Sequence, residues 1–157
     1  MVEGHGVHRV AERHKQILVG RIFIATSPNG RFTDGAAEIS NRRLFRIEAI
    51  GKNLFYFFAE RDDKNIVVVH IHFGMSGRFI TFNPSTTTNT KPKTKLTTRL
   101  VLISENHEVE AHLSAMTCEI GNMSQFEIWC NKLGPDPLRT DSDFEQLWVS
   151  FHEDIHD

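Results

Sequence analysis

The sequence predicts an α+β fold, a β-sandwich with one helix before it and further helices after it. Three observations carry this prediction. Apolar residues recur at helical spacing at the start of the chain, strand-length apolar runs then follow one another to about residue 113, and helical spacing returns after residue 123. With 157 residues, 39% of them hydrophobic and 12 of them Phe, the chain can build one domain with a substantial core.

The first element is a helix over residues 5–18, which Gly20 ends. One face collects the residues that recur every three or four positions: Val7, Val10, Ala11, His14, Ile17 and Leu18.

Strands are predicted at 21–26, 44–50, 53–59, 66–73, 99–104 and 108–113. In the second of these runs Phe45, Ile47 and Ala49 alternate with charged residues, which indicates a half-buried strand. The third and fourth runs are more apolar and are expected to be more deeply buried. Turn signals lie at Ser27–Gly30 and at Asp62–Asn65, and the Thr-, Pro- and Lys-rich residues 83–98 predict an exposed loop.

Two helices are predicted near the end of the chain. Phe126, Trp129 and Cys130 form one face of a helix over 124–132, and Gly134–Pro137 breaks it. A second helix covers 143–152, and its aromatic face has little left in this chain to pack on. We therefore expect one domain over residues 1–138 and the start of a truncated second domain over 139–157.

Composition and charge narrow the class of protein. No apolar run is long enough to cross a bilayer and no signal-peptide core is present, so we expect a soluble intracellular protein, cytoplasmic or nuclear. Cys118 and Cys130 lack the spacing of a Cys-type zinc site. The net charge is −2, but residues 1–135 hold 17 bases and 13 acids, a net of +4, ahead of an acidic tail. A basic body of this kind is compatible with binding a phosphate backbone.

The first residues are candidates for amine chemistry. Removal of Met1 would expose the α-amine of Val2, beside the carboxylate of Glu3. An α-amine has a pKa of roughly 7.7–8.0, so it is partly neutral and nucleophilic near neutral pH. An amine beside a proton-transfer group suits Schiff-base chemistry on a sugar aldehyde. The alternative is a disordered start with no chemical role.

The His70-Ile71-His72 run places two imidazoles on one face of a strand. A metal site is one interpretation, but no third ligand is evident. Histidines that are packed in the strand or bonded to phosphate are the favoured interpretation. Lys52, taken alone, is an ordinary surface lysine.

Five motifs, in order along the chain, resemble those of the formamidopyrimidine-DNA glycosylase and endonuclease VIII (Fpg/Nei) family, and they look most like its Nei branch. They are Met1–His5 with His8–Ala11, Ser27–Phe32, Ala49–Phe55, His72–Gly77 and Leu133–Leu138. The resemblance implies the family's N-terminal domain, which is the α+β fold predicted above.

The resemblance also implies an activity: a base-excision-repair glycosylase that removes oxidised bases from DNA and then cleaves the strand at the abasic (AP) site. Val2 would attack C1′ through its amine, Glu3 would shuttle protons, and Lys52 would contact phosphate and support protonation. His72 would contact the DNA backbone, and Met75 would fill the gap left by the flipped nucleotide. Lys91, Lys93 and Lys95 are either solvated or in contact with the DNA backbone.

The sequence departs from the family in three ways. Val2 stands where most members carry Pro, although an animal Nei-like subfamily also uses Val. No Arg or Lys occurs in residues 105–125, where many members place an intercalating Arg, so Leu113 or Met116 would substitute for it. The family's second half, with its helix-two-turn-helix module and zinc finger, is missing, so no cofactor is expected in this chain.

We therefore expect a monomer that acts on DNA carrying oxidised bases or abasic sites and does not bind a membrane. Two alternatives stay open. One is an inactive or weakly active remnant that binds DNA or another partner, and the other is an AP lyase that lacks glycosylase activity.

Overall fold

The computed structural model describes residues 4–61, 65–75, 77–83 and 96–133, which hold three helices and eight strands. The helices are α1 (Gly4–Ile17), α2 (Thr33–Ile39) and α3 (Met123–Leu133). The strands are β1 (Ile22–Thr26), β2 (Arg42–Ile50), β3 (Asn53–Ala59), β4 (Val67–His72), β5 (Arg78–Phe82), β6 (Leu100–Ser104), β7 (Glu110–Ser114) and β8 (Thr117–Gly121).

The eight strands form one antiparallel sheet in the order β5-β7-β6-β1-β2-β3-β4-β8. β3 and β5 are five positions apart in this order, which in a flat sheet is a separation of roughly 24 Å. Yet the rings of Tyr56 in β3 and Phe79 in β5 have centroids 5.3 Å apart. The sheet therefore folds over on itself into two layers, which confirms the predicted β-sandwich.

The continuous apolar runs of β3 and β4 are buried on both faces. One face points into the main core between the layers, with Leu54 and Tyr56 among its members. The other face carries Phe55, Phe57 and Val68 into a second, smaller core, where they pack against Phe126 of α3. A strand with two covered faces has no polar side to alternate with, which explains why these runs read as unbroken apolar stretches.

Helix α1 packs its apolar stripe against the sandwich. Val7, Ala11, His14 and Leu18 are all buried, at spacings of four, three and four residues. The ring of His14 meets Phe79 edge-on at 4.9 Å and lies 6.0 Å from the ring of Tyr56. The helix thus contacts both layers of the folded sheet.

The sequence did not predict α2, β5 or β8. β5 and β8 are the two edge strands, each of five residues and only partly buried, so their apolar signal is short and weak. α2 has only seven residues and includes Gly35. The predicted helix over 143–152 and most of the predicted loop over 83–98 lie outside the described residues. None of the described helices is both long and apolar enough to cross a membrane.

Candidate functional site

Lys52 and His72 lie at the same end of the sheet. Lys52 belongs to the two-residue turn that joins β2 to β3, and the next residue, Asn53, pairs with His72 across β3 and β4. His72 pairs in turn with Thr117, the first residue of β8. Antiparallel partners have Cα atoms only about 4.5–5.5 Å apart, so the sheet register alone brings the lysine turn and the histidine together.

The turn that carries Lys52 is tight. Ile50 pairs with Asn53, and Gly51 between them has a φ of +62°. A positive φ at the first central residue is typical of the type II′ hairpin, where glycine is favoured. Lys52 is exposed at the tip of this turn and makes no ion pair with any side chain that the structure describes. Its amine is therefore available to an anionic ligand.

The loop from Phe73 to Gly77 needs its two glycines. Gly74 has a φ of +75°, and a Cβ there would lie 2.8 Å from Cε and 3.0 Å from Cβ of Met116. A Cβ at Gly77 would lie 2.5 Å from the Phe73 carbonyl oxygen. Met75, between the two glycines, is 76% exposed. A long apolar side chain is thus exposed between two glycines at positions where a Cβ would not fit.

A second methionine is presented beside this loop. Met116, in the turn between β7 and β8, is 65% exposed, and its backbone N–H donates to the Phe73 carbonyl at 3.1 Å. Arg99 donates from Nη1 to the carbonyls of Ala115 at 3.3 Å and Met116 at 2.8 Å, which ties down the same turn. Leu113, the other residue expected to substitute for the intercalating Arg, is fully buried in the core. The expectation for Leu113 is therefore wrong, because its side chain fills the sandwich interior.

The direction of α1 leads its first residues toward this end of the sheet. At the end of the helix, the Gly20 N–H donates to the Leu44 carbonyl. Six residues earlier, His14 contacts Tyr56 of β3, and Tyr56 pairs with Ile47 of β2. The helix therefore runs antiparallel to β2, and its first residues lie toward the end of that strand. β2 ends at Ile50, directly before the lysine turn. Val2 and Glu3 lie outside the described residues.

Two arginines that the sequence analysis did not single out line a cleft of about 320 Å³ between α1 and β5. Arg13 on α1 and Arg78 at the start of β5 are both exposed, and Phe73 and Gly77 also line the cleft. Arg78 directly follows the His72–Gly77 motif, and this position was the one signal that could have identified it. The cleft adds positive charge beside the methionine loop.

Both ring nitrogens of His70 have partners within the sheet. The two ring nitrogens of His70 lie 2.9 Å from Glu119 Oε1 and 2.8 Å from Asn53 Oδ1. Burial lowers the pKa of His70, while the hydrogen bond to Glu119 and its charge oppose that shift. Among the residues that the structure describes, no three His, Cys, Asp or Glu side chains are grouped to hold a metal ion. The contacts of His70 are those of a histidine packed and hydrogen-bonded within the sheet.

Comparisons with known sequences match most of this chain. The sequence model of the formamidopyrimidine-DNA glycosylase N-terminal domain matches residues 1–114. The proteins named endonuclease 8 1 of Mycobacterium bovis and Mycobacterium tuberculosis are each 30% identical over 149 residues, covering 94% of this chain and 53% of the relative. The chain thus spans about half the length of the curated relatives it matches.

Solved structures share the fold. A Lactococcus lactis formamidopyrimidine-DNA glycosylase, bound non-covalently to DNA containing an abasic site, superposes with a TM-score of 0.70 at 20% identity, over 90% of this chain and 53% of that one. A viral DNA glycosylase gives a TM-score of 0.56 at 11% identity, over 72% and 38% of the two chains. At these identities the likeness concerns the fold alone.

Proposed function

Because this chain belongs to the formamidopyrimidine-DNA glycosylase family, we propose that it excises oxidised bases from DNA and cleaves the resulting abasic site through a Schiff base at the Val2 amine. One observation carries the proposal: the sheet register gathers the lysine turn and His72 at one sheet end, beside the exposed Met75 and toward the start of α1. A nucleotide extruded from the DNA stack needs such a combination of apolar wedge, phosphate contacts and nucleophile.

The chemistry begins at the α-amine of Val2. The amine attacks C1′ of the extruded nucleotide, the bond from C1′ to the base breaks, and the bonding electrons leave with the base. Loss of one proton from the nitrogen, followed by opening of the sugar ring with a proton transferred to O4′, then gives the protonated Schiff base at C1′. Glu3 moves the protons, and abstraction of a C2′ proton expels the 3′ phosphate by β-elimination. The positive end of the α1 dipole favours the neutral, nucleophilic form of an amine held beside it.

Three cations, one histidine and two methionines are proposed to hold the DNA. Lys52 contacts phosphate and supports protonation, His72 contacts the backbone, and Arg13 and Arg78 add phosphate contacts from the cleft. Met75 fills the space vacated by the extruded nucleotide, and Met116 supports it where other members use an arginine.

The domain organisation is part of the proposal. Residues 1–138 form the catalytic domain, and residues 139–157 begin a helical second domain. Because the chain spans about half the length of its curated relatives, two further outcomes have a specific basis: AP-lyase activity alone, or DNA binding without catalysis.

Borohydride trapping of the purified 157-residue chain tests the proposal. Met1 removal is confirmed by mass, and the protein is reduced in the presence of single-stranded DNA with an abasic site, then of duplex DNA with an oxidised base. We expect a covalent adduct with both substrates, lost when the Val2 amine is acetylated. An adduct on the abasic site only would indicate a lyase. Salt-sensitive DNA binding with no adduct would overturn the catalytic proposal.

Charge variants make this experiment specific. Glu3→Gln removes the proposed proton carrier, and Lys52→Ala removes the proposed phosphate contact at the sheet end. Arg61→Ala is the matched control, because Arg61 is an exposed cation just beyond the opposite end of β3, paired only at the surface with Glu105. We expect the first two variants to slow adduct formation by about tenfold or more and the control to leave it unchanged.

A further inference from the structure

A chain of three contacting polar side chains, of which His70 is buried and Glu119 is exposed, runs across the sheet and ends at the lysine turn. His70 is at its centre, only 9% exposed, with one ring nitrogen 2.9 Å from Glu119 Oε1 and the other 2.8 Å from Asn53 Oδ1. The three residues stand on adjacent strands, β8, β4 and β3, and Glu119 is the direct cross-strand partner of His70. The mechanism proposed above uses none of the three.

The ring of His70 packs against two aromatic rings, whose own centroids lie 6.3 Å apart. Phe55 stacks on it at 5.0 Å with an angle of 12° between the planes, and Trp129 of α3 lies at 5.1 Å with an angle of 37°. This packing restrains the plane of the imidazole, and the partners at the two ring nitrogens restrain its rotation within that plane. An apolar side chain would pack against the same two rings without the desolvation cost of burying a polar ring. The hydrogen bonds are thus the feature that packing alone does not require.

Asn53 connects this ring to the lysine turn. Its Nδ2 donates to the Ile50 carbonyl at 3.4 Å, across the turn that Gly51 and Lys52 form. With Nδ2 facing that carbonyl, Oδ1 is the end of the amide that lies against His70 Nε2, at 2.8 Å. The amide therefore has one end on His70 and the other on the far side of the turn, so its orientation restrains both ends of the hairpin.

We propose that His70, held by Glu119, is a positioning residue that acts through Asn53 to fix the turn carrying Lys52. His70 itself does not contact DNA. The proposal rests on the proposed function for what Lys52 does. It adds that the effect of the lysine on the reaction depends on a buried histidine in β4, the strand next to the hairpin that carries Lys52.

Single-turnover trapping with saturating abasic-site DNA tests this dependence. His70→Phe keeps an aromatic ring at this position and removes both polar contacts, and Asn53→Ala leaves the packing of His70 on Phe55 and Trp129 intact while cutting the link to the turn. Each should lower the trapping rate constant about tenfold, with less than about a twofold change in DNA affinity, because misplacing a catalytic group costs rate more than binding.

Repeating the measurement in the Lys52→Ala variant distinguishes an effect of His70 on the position of Lys52 from a general loss of structure. If His70 acts through Lys52, adding His70→Phe or Asn53→Ala to Lys52→Ala should change the rate less than about twofold. An equal tenfold loss in both backgrounds would overturn the proposal, and so would unchanged rates in both single variants. Arg61→Ala serves again as the variant that should alter neither background.

A measurement independent of activity keeps the two proposals distinguishable. Backbone ¹⁵N relaxation should give order parameters near 0.85 for Gly51 and Lys52 in the parent chain and below about 0.6 in the two variants. Gly20, which bonds to Leu44 toward the opposite end of β2, should stay unchanged. If the parent chain forms no adduct but the turn becomes mobile in the two variants, only the proposed function is wrong. A turn that stays rigid in both variants would overturn the role of His70, whatever the activity.

Discussion

His14 is buried beneath α1 with Nδ1 2.6 Å from the Tyr56 hydroxyl. Burial lowers the pKa of His14 to about 4, against the opposing effect of a hydrogen bond to the Phe79 backbone. Burial also raises the pKa of Tyr56 well above 10, so the phenol remains a donor. The neutral imidazole therefore accepts a hydrogen bond from the Tyr56 hydroxyl, and this bond connects α1 to β3 of the sheet.

This pair predicts how stability depends on pH. The unfolded chain binds a proton at His14 with a pKa of 6.5 and the folded chain with a pKa of about 4, so acid favours the unfolded state. The contribution of neutral His14 to the free energy of unfolding is fully present above pH 6.5, and it falls by about 3 kcal/mol as the pH drops to 4. Urea unfolding at a series of pH values measures this fall.

His14→Gln is the control for that measurement, because an amide can accept from Tyr56 and donate to the Phe79 backbone without titrating. The variant should lose most of the pH dependence between 6.5 and 4 and keep only the share that other groups, such as His70, contribute. A slope equal to that of the parent chain would show that His14 is not its source.

Val2 predicts a second pH effect, this time on catalysis. A primary amine gives an imine that can lose its proton and become a poor electron sink, whereas the iminium formed by a proline cannot. The parent chain should therefore show slower lyase chemistry that declines toward high pH and stops mainly at β-elimination. Val2→Pro should extend activity to higher pH and carry the products further. Identical pH profiles and products in the two proteins would contradict this account.

At the scale of elements, the loop over 73–77 and the turn at Ala115–Met116 behave as one unit. The Met116 N–H bonds to the Phe73 carbonyl, and Gly74 leaves no space for a side chain beside Met116. Both exposed methionines therefore depend on the same short stretch of backbone. The exposure of Met75 and Met116 therefore depends on the contact between the two segments, and not on either residue alone.

Gly74→Ala tests this unit, with Gly30→Ala as the matched control. Both glycines have φ near +75°, but an added Cβ meets nothing within 4 Å at Gly30 and meets Met116 at Gly74. We expect Gly30→Ala to cost about 1 kcal/mol of unfolding free energy from backbone strain. Gly74→Ala should cost about 1–3 kcal/mol more, because Met116 must move. Urea midpoints give both values, and equal costs would show that the two loops are not coupled.

At the scale of the whole molecule, charge is distributed unevenly. Residues 1–135 carry a net charge of +4, whereas residues 136–157 hold seven acids and one base. The net excess of positive charge that can attract DNA phosphates is therefore small, and we expect weak, salt-dependent binding.

The salt dependence of binding can be measured by titrating labelled single-stranded DNA. If about three phosphates are neutralised, the slope of log affinity against log salt should be roughly −2, since each contributes about −0.7 on a single strand. Lys52→Ala should make the slope shallower by a little under 1, and Arg61→Ala should leave it unchanged. A slope that Lys52→Ala does not alter would show that this lysine makes no phosphate contact.

The sequence by itself determined the elements whose burial leaves a strong pattern. β3 and β4 are continuous apolar runs because both of their faces are covered, and α1 shows its buried face as a helical repeat. The family motifs also named Lys52, His72 and Met75, because residue type and spacing survive in the linear chain. The edge strands β5 and β8 escaped prediction because a short, half-exposed strand has no distinctive pattern.

Only the tertiary structure decided which residues meet. The strand register placed the lysine turn next to His72, and folding of the sheet buried Leu113 while leaving Met116 exposed. The same folding gave His70 its partners on β3 and β8, which are 17 and 49 residues away in the chain. Such contacts are long-range, and no local pattern of residues encodes them, because register and layer crossing are set by how the whole core packs.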